Sequence, residues 1–196
     1  MRFNNPFTAA SFLFLTLTLA CSGGGGDDKQ PPPPPPKTFA DTLAYTDPSG
    51  TSFRLVRHAS STASKLVLDL VGPAGTGQGV AFIVSADQTK VTWSNPPSSG
   101  TLAANLAFTL GSGTQAFVGK VGGNQLTLDQ LQGAAFQKPG ATAVNLAQPL
   151  MRISLDLKSN IPVNTNVPMS FTAGNHLPAS GGPSTITVAV GTLLAQ

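Results

Sequence analysis

The stretch Leu150–Lys158 reads LMRISLDLK and alternates apolar and polar residues from Met151 onward. Its apolar residues stand at every second position from Met151 to Leu157, and the positions between them are polar or charged. Successive side chains of a β-strand point to opposite faces of a sheet, so this period of two predicts a half-buried strand. The apolar side of such a strand must be covered by a second layer of structure.

The same alternation recurs on both sides of this stretch, in SKLVLDLVG (64–72), NQLTLDQL (124–131) and STITVAVGTLLA (184–195). Eight residues of these segments are predicted to face inward: Leu66, Leu68, Leu70, Leu126, Leu128, Ile186, Val188 and Val190. GVAFIVSAD (79–87) is apolar on both faces, which is typical of a central strand covered on each side.

The composition also favours strands over helices. The chain has no glutamate, and its glycines and prolines are spread along the whole sequence. A helical turn is expected only at Asp129–Phe136, and the segments on either side of Asp47–Gly50 are expected to form a hairpin. We therefore predict an all-β fold, a jelly-roll-type β-sandwich of about nine to eleven short strands, preceded by a disordered tether.

Residues 1–20 have the layout of a secretory signal peptide. Arg2 provides a positive start, the run Ala9–Ala20 is largely apolar, and it ends in a small residue. The run has about 12 residues, whereas a membrane-spanning helix needs roughly 20. It is therefore predicted to be cleaved rather than to stay as a transmembrane anchor.

The segment Leu17–Cys21, LTLAC, resembles the lipobox of bacterial lipoproteins, although Thr18 stands where a leucine is usual. In that family the signal is cut before the cysteine, which becomes acylated. Ser22 behind it resembles the pattern of lipoproteins forwarded to the outer membrane. The resemblance implies a membrane partner through an acyl anchor at Cys21 and a location in the bacterial cell envelope, at the outer membrane. The alternative is an ordinary cleaved signal with an incidental thiol.

Residues 21–37 are predicted to form a lipidated cysteine followed by a tether. Gly23–Gly26 is expected to be flexible, and Pro31–Pro36 is expected to favour an extended polyproline II rod. Residues 38–196 then form one domain, which is long enough to bury a core. Because Cys21 is the only cysteine, that domain has to be held together by packing without disulfides.

The charge pattern argues against nucleic acid as a partner. The formal net charge is +3 at pH 7, and the lysines and arginines stand singly between polar residues. Nucleic-acid-binding proteins usually cluster these residues on one face.

The succession of LVLDLVGP (66–73), GQGVAFIVSADQTKVTW (77–93), TLAANLAFTLGSGTQAFVGKV (101–121), LMRISLDL (150–157) and ITVAVGTL (186–193) resembles cohesin domains. Cohesins are jelly-roll β-sandwiches related in fold to the cellulose-binding modules of families two and three. In them an early hydrophobic strand ends in an aspartate, as at Asp87, and the last alternating strand leads to a glycine, as at Gly191. The resemblance implies a non-catalytic module that binds a protein through one broad sheet face.

No motif predicts catalysis or a cofactor. The glycine-rich stretch Gly72–Gly79 is followed by a strand rather than by the helix that a phosphate loop needs, so it is interpreted as a hairpin connection. No G-x-S-x-G elbow is present, and His58 and His176 are interpreted as exposed polar residues without carboxylate partners. We therefore predict no catalytic residues and no enzyme activity.

The aspartates that could bind a metal are far apart in the sequence: Asp69, Asp87, Asp129 and Asp156. No spacing of the EF-hand type is present, so no metal site is predicted, although calcium ligands gathered from distant loops stay an alternative. Asp69 and Asp156 are interpreted as residues of solvated strand faces, and Asp87 as a residue that caps a turn.

Three residues are candidate ligand contacts. Trp93 is the only tryptophan, and Arg152 and Lys158 occupy polar positions of the strand quoted above. The favoured function is a cell-envelope lipoprotein that presents a cohesin-like module to an unidentified secreted or surface protein. The alternatives are binding of a polysaccharide by the same sandwich, for which a single tryptophan is a poor platform, and a purely structural envelope lipoprotein.

Overall fold

The computed structural model describes residues 34–111, 117–123 and 125–196. The predicted signal peptide, Cys21 and most of the predicted tether lie outside the described residues. Residues 36–196 make up one compact unit with its own hydrophobic core.

The described residues contain strands and no helix, so the all-β prediction is confirmed. The strands are β1 (Leu43–Thr46), β2 (Arg54–Arg57), β3 (Lys65–Val71), β4 (Thr76–Ala86), β5 (Val91–Ser94), β6 (Ala103–Asn105), β7 (Lys120–Gly123), β8 (Leu126–Phe136), β9 (Val144–Asn145), β10 (Pro149–Leu157), β11 (Thr165–Asn166), β12 (Met169–Pro178), β13 (Ser184–Thr185) and β14 (Thr192–Ala195).

Two larger antiparallel sheets and one small sheet contain these strands. The five-stranded sheet has the order β2-β3-β10-β5, with β6 also paired to β10. The six-stranded sheet has the order β13-β12-β4-β8-β7, with β9 paired to β4, and the small sheet is β1-β14-β11. β3 and β4 are consecutive in the chain but belong to different sheets, as expected for a sandwich.

The core lies between the two larger sheets. The inward row of β10, predicted from its period of two, is fully buried at Met151 and Leu155. The facing row of β4 contains Phe82, whose ring lies over Gly133 of β8: a Cβ added there would be 2.7 Å from the ring and 3.2 Å from Met151 Cε. A glycine is therefore needed at position 133 so that one sheet's largest inward side chain can pack against the other sheet.

The small sheet is locked to the five-stranded sheet by Tyr45. Its buried hydroxyl donates to the carbonyl of Leu55, at 3.1 Å, and accepts from the N–H of Gly191, at 2.7 Å. Burial raises the pKa of Tyr45 to about 12. A Cβ on Gly191 would lie 2.0 Å from the Thr46 carbonyl oxygen, which explains the glycine at the end of the last apolar segment.

Three local predictions are wrong. Asp129–Phe136 belongs to strand β8 and not to a helical turn. The segments flanking Asp47–Gly50 do not pair with each other, because β1 pairs with β14 and β2 pairs with β3. Leu128 faces solvent with 82% of its surface exposed, whereas Leu131 is the buried residue of that segment. Turn residues predict where the chain changes direction, and local periodicity predicts which side chains share a face of a strand. Neither predicts the neighbouring strand, because strand pairing depends on long-range packing.

The last apolar segment is only partly a strand. Of the inward residues predicted there, Val188 is buried, and Ile186 and Val190 pack against the core while partly exposed. No helix in the described part of the chain is long and apolar enough to cross a membrane.

Replacement of Gly133 by alanine tests the packing between the sheets. The new methyl group would overlap the Phe82 ring, so we expect Gly133→Ala to lower the free energy of unfolding by about 1–3 kcal/mol in urea titrations. Gly100→Ala is the matched control, because no atom lies within 4 Å of the added Cβ, and its effect should be within about 0.5 kcal/mol of zero. Equal losses in both variants would contradict the packing described here.

Candidate functional site

The outer face of the six-stranded sheet is a broad surface of small and neutral side chains. Along β4 the buried residues Val80, Phe82 and Val84 alternate with the outward residues Ala81 and Ile83, which are partly exposed. Because β4 is the central strand, its outward residues lie in the middle of this face. We call this surface the outer face.

The strand register arranges the outer face in cross-strand rows. The first row is Ser170, Ser85 and Gln130, in which the two serine hydroxyls are hydrogen-bonded at 2.8 Å. The second row is Ala173, Ile83, Gln132 and Lys120, and the third is Asn175, Ala81 and Ala134. The outward residues of β12, β4 and β8 in these rows carry no charge, and Lys120 lies at the edge on β7.

Three depressions of 610, 350 and 70 Å³ lie on or beside the outer face. Ile83 and Gln132 contribute to the two smaller ones. The largest lies at one end, between Ser85, Thr89, Asp129 and Ser170. All three are open to solvent, so the face offers a wide contact area rather than an enclosed pocket.

The opposite surface of the sandwich, on the five-stranded sheet, has a different chemistry. Arg152 binds Asp69 through two hydrogen bonds of 2.6 and 2.9 Å, which raise the pKa of Arg152 further. Lys65 contacts both Asp156 and Ser94, each at 2.7 Å. These charged groups have partners within the sheet, so they hold the strands together and leave little unsatisfied bonding for a ligand.

Asp69 corrects the interpretation of a solvated aspartate. It is only 3% exposed, and Arg152 neutralises its charge from 83 positions further along the chain. Asp156 is paired with Lys65 on the same surface. Sequence spacing could not reveal the first pair, because the two residues become neighbours only through the register of β3 and β10.

The candidate contacts predicted from the sequence do not lie on the outer face. Trp93 is 7% exposed, and its indole N–H donates to the Asp129 carbonyl at 2.9 Å. Its ring faces are therefore covered by the core. Lys158 donates to the carbonyl of Gln88 in the connection between the larger sheets. Ligand contacts by Arg152 and Lys158 stay predictions.

Asp87 and the glycine-rich segment have structural roles in the connections between strands. Asp87 accepts from the N–H and hydroxyl of Thr89 and pairs with Lys90 at 2.8 Å, which lowers its pKa to about 2. The predicted turn cap is therefore confirmed. The described residues contain no group of three or more side chains placed to hold a metal. Residues 72–75 connect β3 of one sheet to β4 of the other, so the predicted hairpin connection is wrong.

The histidines are placed differently from their predicted positions. His58 is half-buried, and its Nδ1 lies 2.7 Å from the Ser60 hydroxyl. His176 belongs to β12 and is only partly exposed, and its ring centroid is 5.5 Å from that of Phe53. Nε2 of His176 is buried without a hydrogen-bond partner in the described structure. Burial lowers the pKa of His176, so the folded state favours the neutral ring.

Comparisons with known proteins give similarities of fold only. No protein-family model matches the chain, and no curated protein matches it. The sixth cohesin from Acetivibrio cellulolyticus scaffoldin B, solved in complex with a Cel5 dockerin mutant, is 12% identical with a TM-score of 0.45, covering 72% of this chain and 96% of that one.

Two further solved structures are similar at lower TM-scores. A cohesin module from a Clostridium perfringens family 33 glycoside hydrolase is 7% identical with a TM-score of 0.39, covering 79% of this chain and 99% of that one. The seventh ScaB type I cohesin from Pseudobacteroides cellulosolvens is 11% identical with a TM-score of 0.38, covering 71% and 92%. At these values the similarities do not establish a family.

His176 generates a prediction for the pH dependence of stability. Its pKa is lower in the folded chain than the ordinary 6.5, so the unfolded chain binds more protons below about pH 6.5. Stability should therefore fall as the pH is lowered through 6.5 and level off below the pKa of the folded state.

Urea titrations between pH 5 and 8 measure this dependence. His176→Gln should remove the loss of stability that begins near pH 6.5, whereas His58→Gln should keep it. An acid-side loss that is unchanged in His176→Gln would contradict the assignment.

Proposed function

We propose that the domain is a non-catalytic protein-binding module and that its partner binds the outer face of the six-stranded sheet. The observation that carries this proposal is the contrast between the two sheet surfaces. On β3 and β10 of the five-stranded sheet, Arg152 is paired with Asp69 and Lys65 with Asp156, whereas the outer face has neutral side chains around Ile83. Depletion of charge at the centre of a patch is a property of protein interfaces.

The geometry supports a protein over a small molecule or a sugar. Small-molecule sites are concave and enclose most of the ligand, but the depressions on or beside the outer face are open to solvent. Stacking of a pyranose needs an exposed aromatic ring, and Trp93 is buried. The resemblance of the sequence to cohesins, which bind through a broad sheet face, agrees with the proposal.

We also propose that the module is presented at the bacterial cell envelope by a lipid on Cys21. The support is the sequence alone: an apolar run that ends in LTLAC, followed by the Gly- and Pro-rich residues 22–37. An acylated cysteine and an extended stalk would hold the outer face away from the membrane, where a secreted or surface protein can reach it.

The outer face is tested by a charge placed at its centre. Ala173 is exposed and pairs with Ile83, so Ala173→Lys should leave the fold intact and weaken partner binding at least tenfold, because the new ammonium would be desolvated in the interface. Wild-type residues 38–196 would be used to capture a partner from the secreted and surface proteins of the source organism. The captured protein would then be produced by itself and titrated calorimetrically.

Thr92→Lys is the matched control, since Thr92 is an exposed strand residue on the outward surface of the five-stranded sheet. It should bind the partner with wild-type affinity. If Thr92→Lys abolishes binding and Ala173→Lys does not, the partner binds the five-stranded sheet and the proposal is contradicted. If the domain binds a glycan on an array saturably, and Ala173→Lys loses this binding, the outer face binds a polysaccharide and the proposal of a protein partner is contradicted.

The anchor is tested by Cys21→Ser in the full chain expressed in a bacterium. The wild-type chain should incorporate labelled palmitate and sediment with membranes, because cleavage before Cys21 would leave an acylated N-terminus. The variant should take up no label. A wild-type chain that is soluble and unlabelled would contradict the lipid anchor and leave the outer-face proposal untouched.

A further inference from the structure

A wide bulge interrupts strand β8 beside the largest depression. Val121 of β7 pairs with Leu131 of β8, but Gly123, two residues further along, pairs with Leu126. Five steps along β8 therefore lie opposite two steps along β7. The extra residues, Thr127–Gln130, have no partner in the β7–β8 ladder, although Gln130 stays paired with Ser85 of β4, and we call this segment the β8 bulge. Bulges of this kind re-aim side chains away from the alternation of the strand.

The β8 bulge is held in place by two hydrogen bonds. The N–H of Thr127 donates to the side-chain oxygen of Gln130 at 3.1 Å. Trp93 extends from β5 of the five-stranded sheet, and its indole N–H reaches the Asp129 carbonyl at 2.9 Å. Since the Trp93 ring is buried in the core, the bulge is fixed to both sheets. The backbone of the β8 bulge is therefore held by hydrogen bonds at Thr127 and Asp129.

The β8 bulge presents an apolar and an anionic side chain next to each other. Leu128 is 82% exposed, the highest value among the large hydrophobic residues that face solvent in the described structure. Leu128 and Asp129 both line the 610 Å³ depression, together with Ser85, Thr89 and Ser170.

Asp129 differs from the other five aspartates of the described residues. Each of those carboxylates has a hydrogen-bond or ion-pair partner: Asp41 with Lys37, Asp47 with the N–H of Arg57, Asp69 with Arg152, Asp87 with Lys90, and Asp156 with Lys65. No such partner is found for the Asp129 carboxylate within the described ranges. Its negative charge is thus open to a ligand, while the charge of Asp87 in the same depression is offset by Lys90.

We infer that the β8 bulge anchors a basic side chain of the partner protein, a lysine or an arginine. This inference rests on the proposed function and specifies the chemistry of the partner. Lysine and arginine combine an apolar stem with a cationic end, so the stem can cover Leu128 while the cation pairs with Asp129. The hydroxyls of Ser85, Thr89 and Ser170 can accept the remaining N–H groups. A neutral or acidic side chain would leave Asp129 unpaired.

Selection of peptides from a random library on residues 38–196 tests the inference without knowledge of the natural partner. The selected peptides should be enriched in lysine and arginine with an apolar neighbour. Asp129→Asn should weaken their binding about two- to fivefold, the range expected for losing one ion pair at a partly exposed site, and the wild-type affinity should fall with added salt. Leu128→Ser should also weaken binding, because the partner stem loses its apolar contact.

Two controls separate the bulge from general effects. Asp41→Asn changes the net charge equally outside the depression, and it should keep wild-type affinity. Trp93→Phe keeps an aromatic ring in the core but removes the N–H that reaches Asp129. It should weaken peptide binding and speed amide hydrogen exchange at residues 127–130, whereas a role in packing alone would change stability without this local effect.

The possible results also distinguish the inference from the proposed function. Peptides that lose affinity in Ala173→Lys but bind Asp129→Asn as tightly as wild type would overturn the bulge anchor and leave the outer face as the interface. Peptides without basic residues would overturn it in the same way. A library that yields no binder, or binders indifferent to both substitutions, would overturn both.

Discussion

The packing of the Phe82 ring and the Met151 methyl group over Gly133 lies where the two larger sheets close on each other. It joins the central strand of the six-stranded sheet to β8 and to β10, the strand that holds the five-stranded sheet together. The inward rows of both sheets are committed to this packing, and the chain has no disulfide to replace it. Every property available for function therefore has to lie on the outward rows and in the connections.

The outward side chains of the two larger sheets differ in chemistry. On the five-stranded sheet, Arg152 and Asp69 are nearly buried, and such a pair is tolerable only because their geometry is bidentate and complete. On β12, β4 and β8 of the six-stranded sheet, the outward positions of the three rows are alanine, serine, asparagine and glutamine around Ile83. Neutral groups of this kind cost less to desolvate than charges, which makes the second surface the better one for a partner to cover.

Trp93 links the core to the surface that we propose as the interface. A lone tryptophan invites the interpretation of a sugar platform, but this ring is buried and only its N–H has a directed role. By bonding the Asp129 carbonyl, it supports the backbone on which Leu128 and Asp129 are exposed. Trp93 therefore supports the candidate site from the core, by positioning the β8 bulge.

The fold class and the strands with the clearest alternation follow from the residue pattern alone. Apolar residues at every second position from Met151 to Leu157, and again at Leu66, Leu68 and Leu70, predicted two core strands because side-chain direction in a strand is a local property. The sequence also carries all the information on the lipobox-like segment at Cys21, which lies outside the described residues.

Strand pairing and the chemistry of each surface, in contrast, depend on long-range contacts in the folded chain. Leu128 follows the inward alternation in the sequence, yet the register between β7 and β8 shifts at that point and turns it to solvent. Asp69 and Arg152 find each other across 83 positions through the pairing of β3 with β10. The exposure of Leu128 and the pairing of Asp69 with Arg152 depend on contacts between distant segments. Local periodicity carries no information on such contacts.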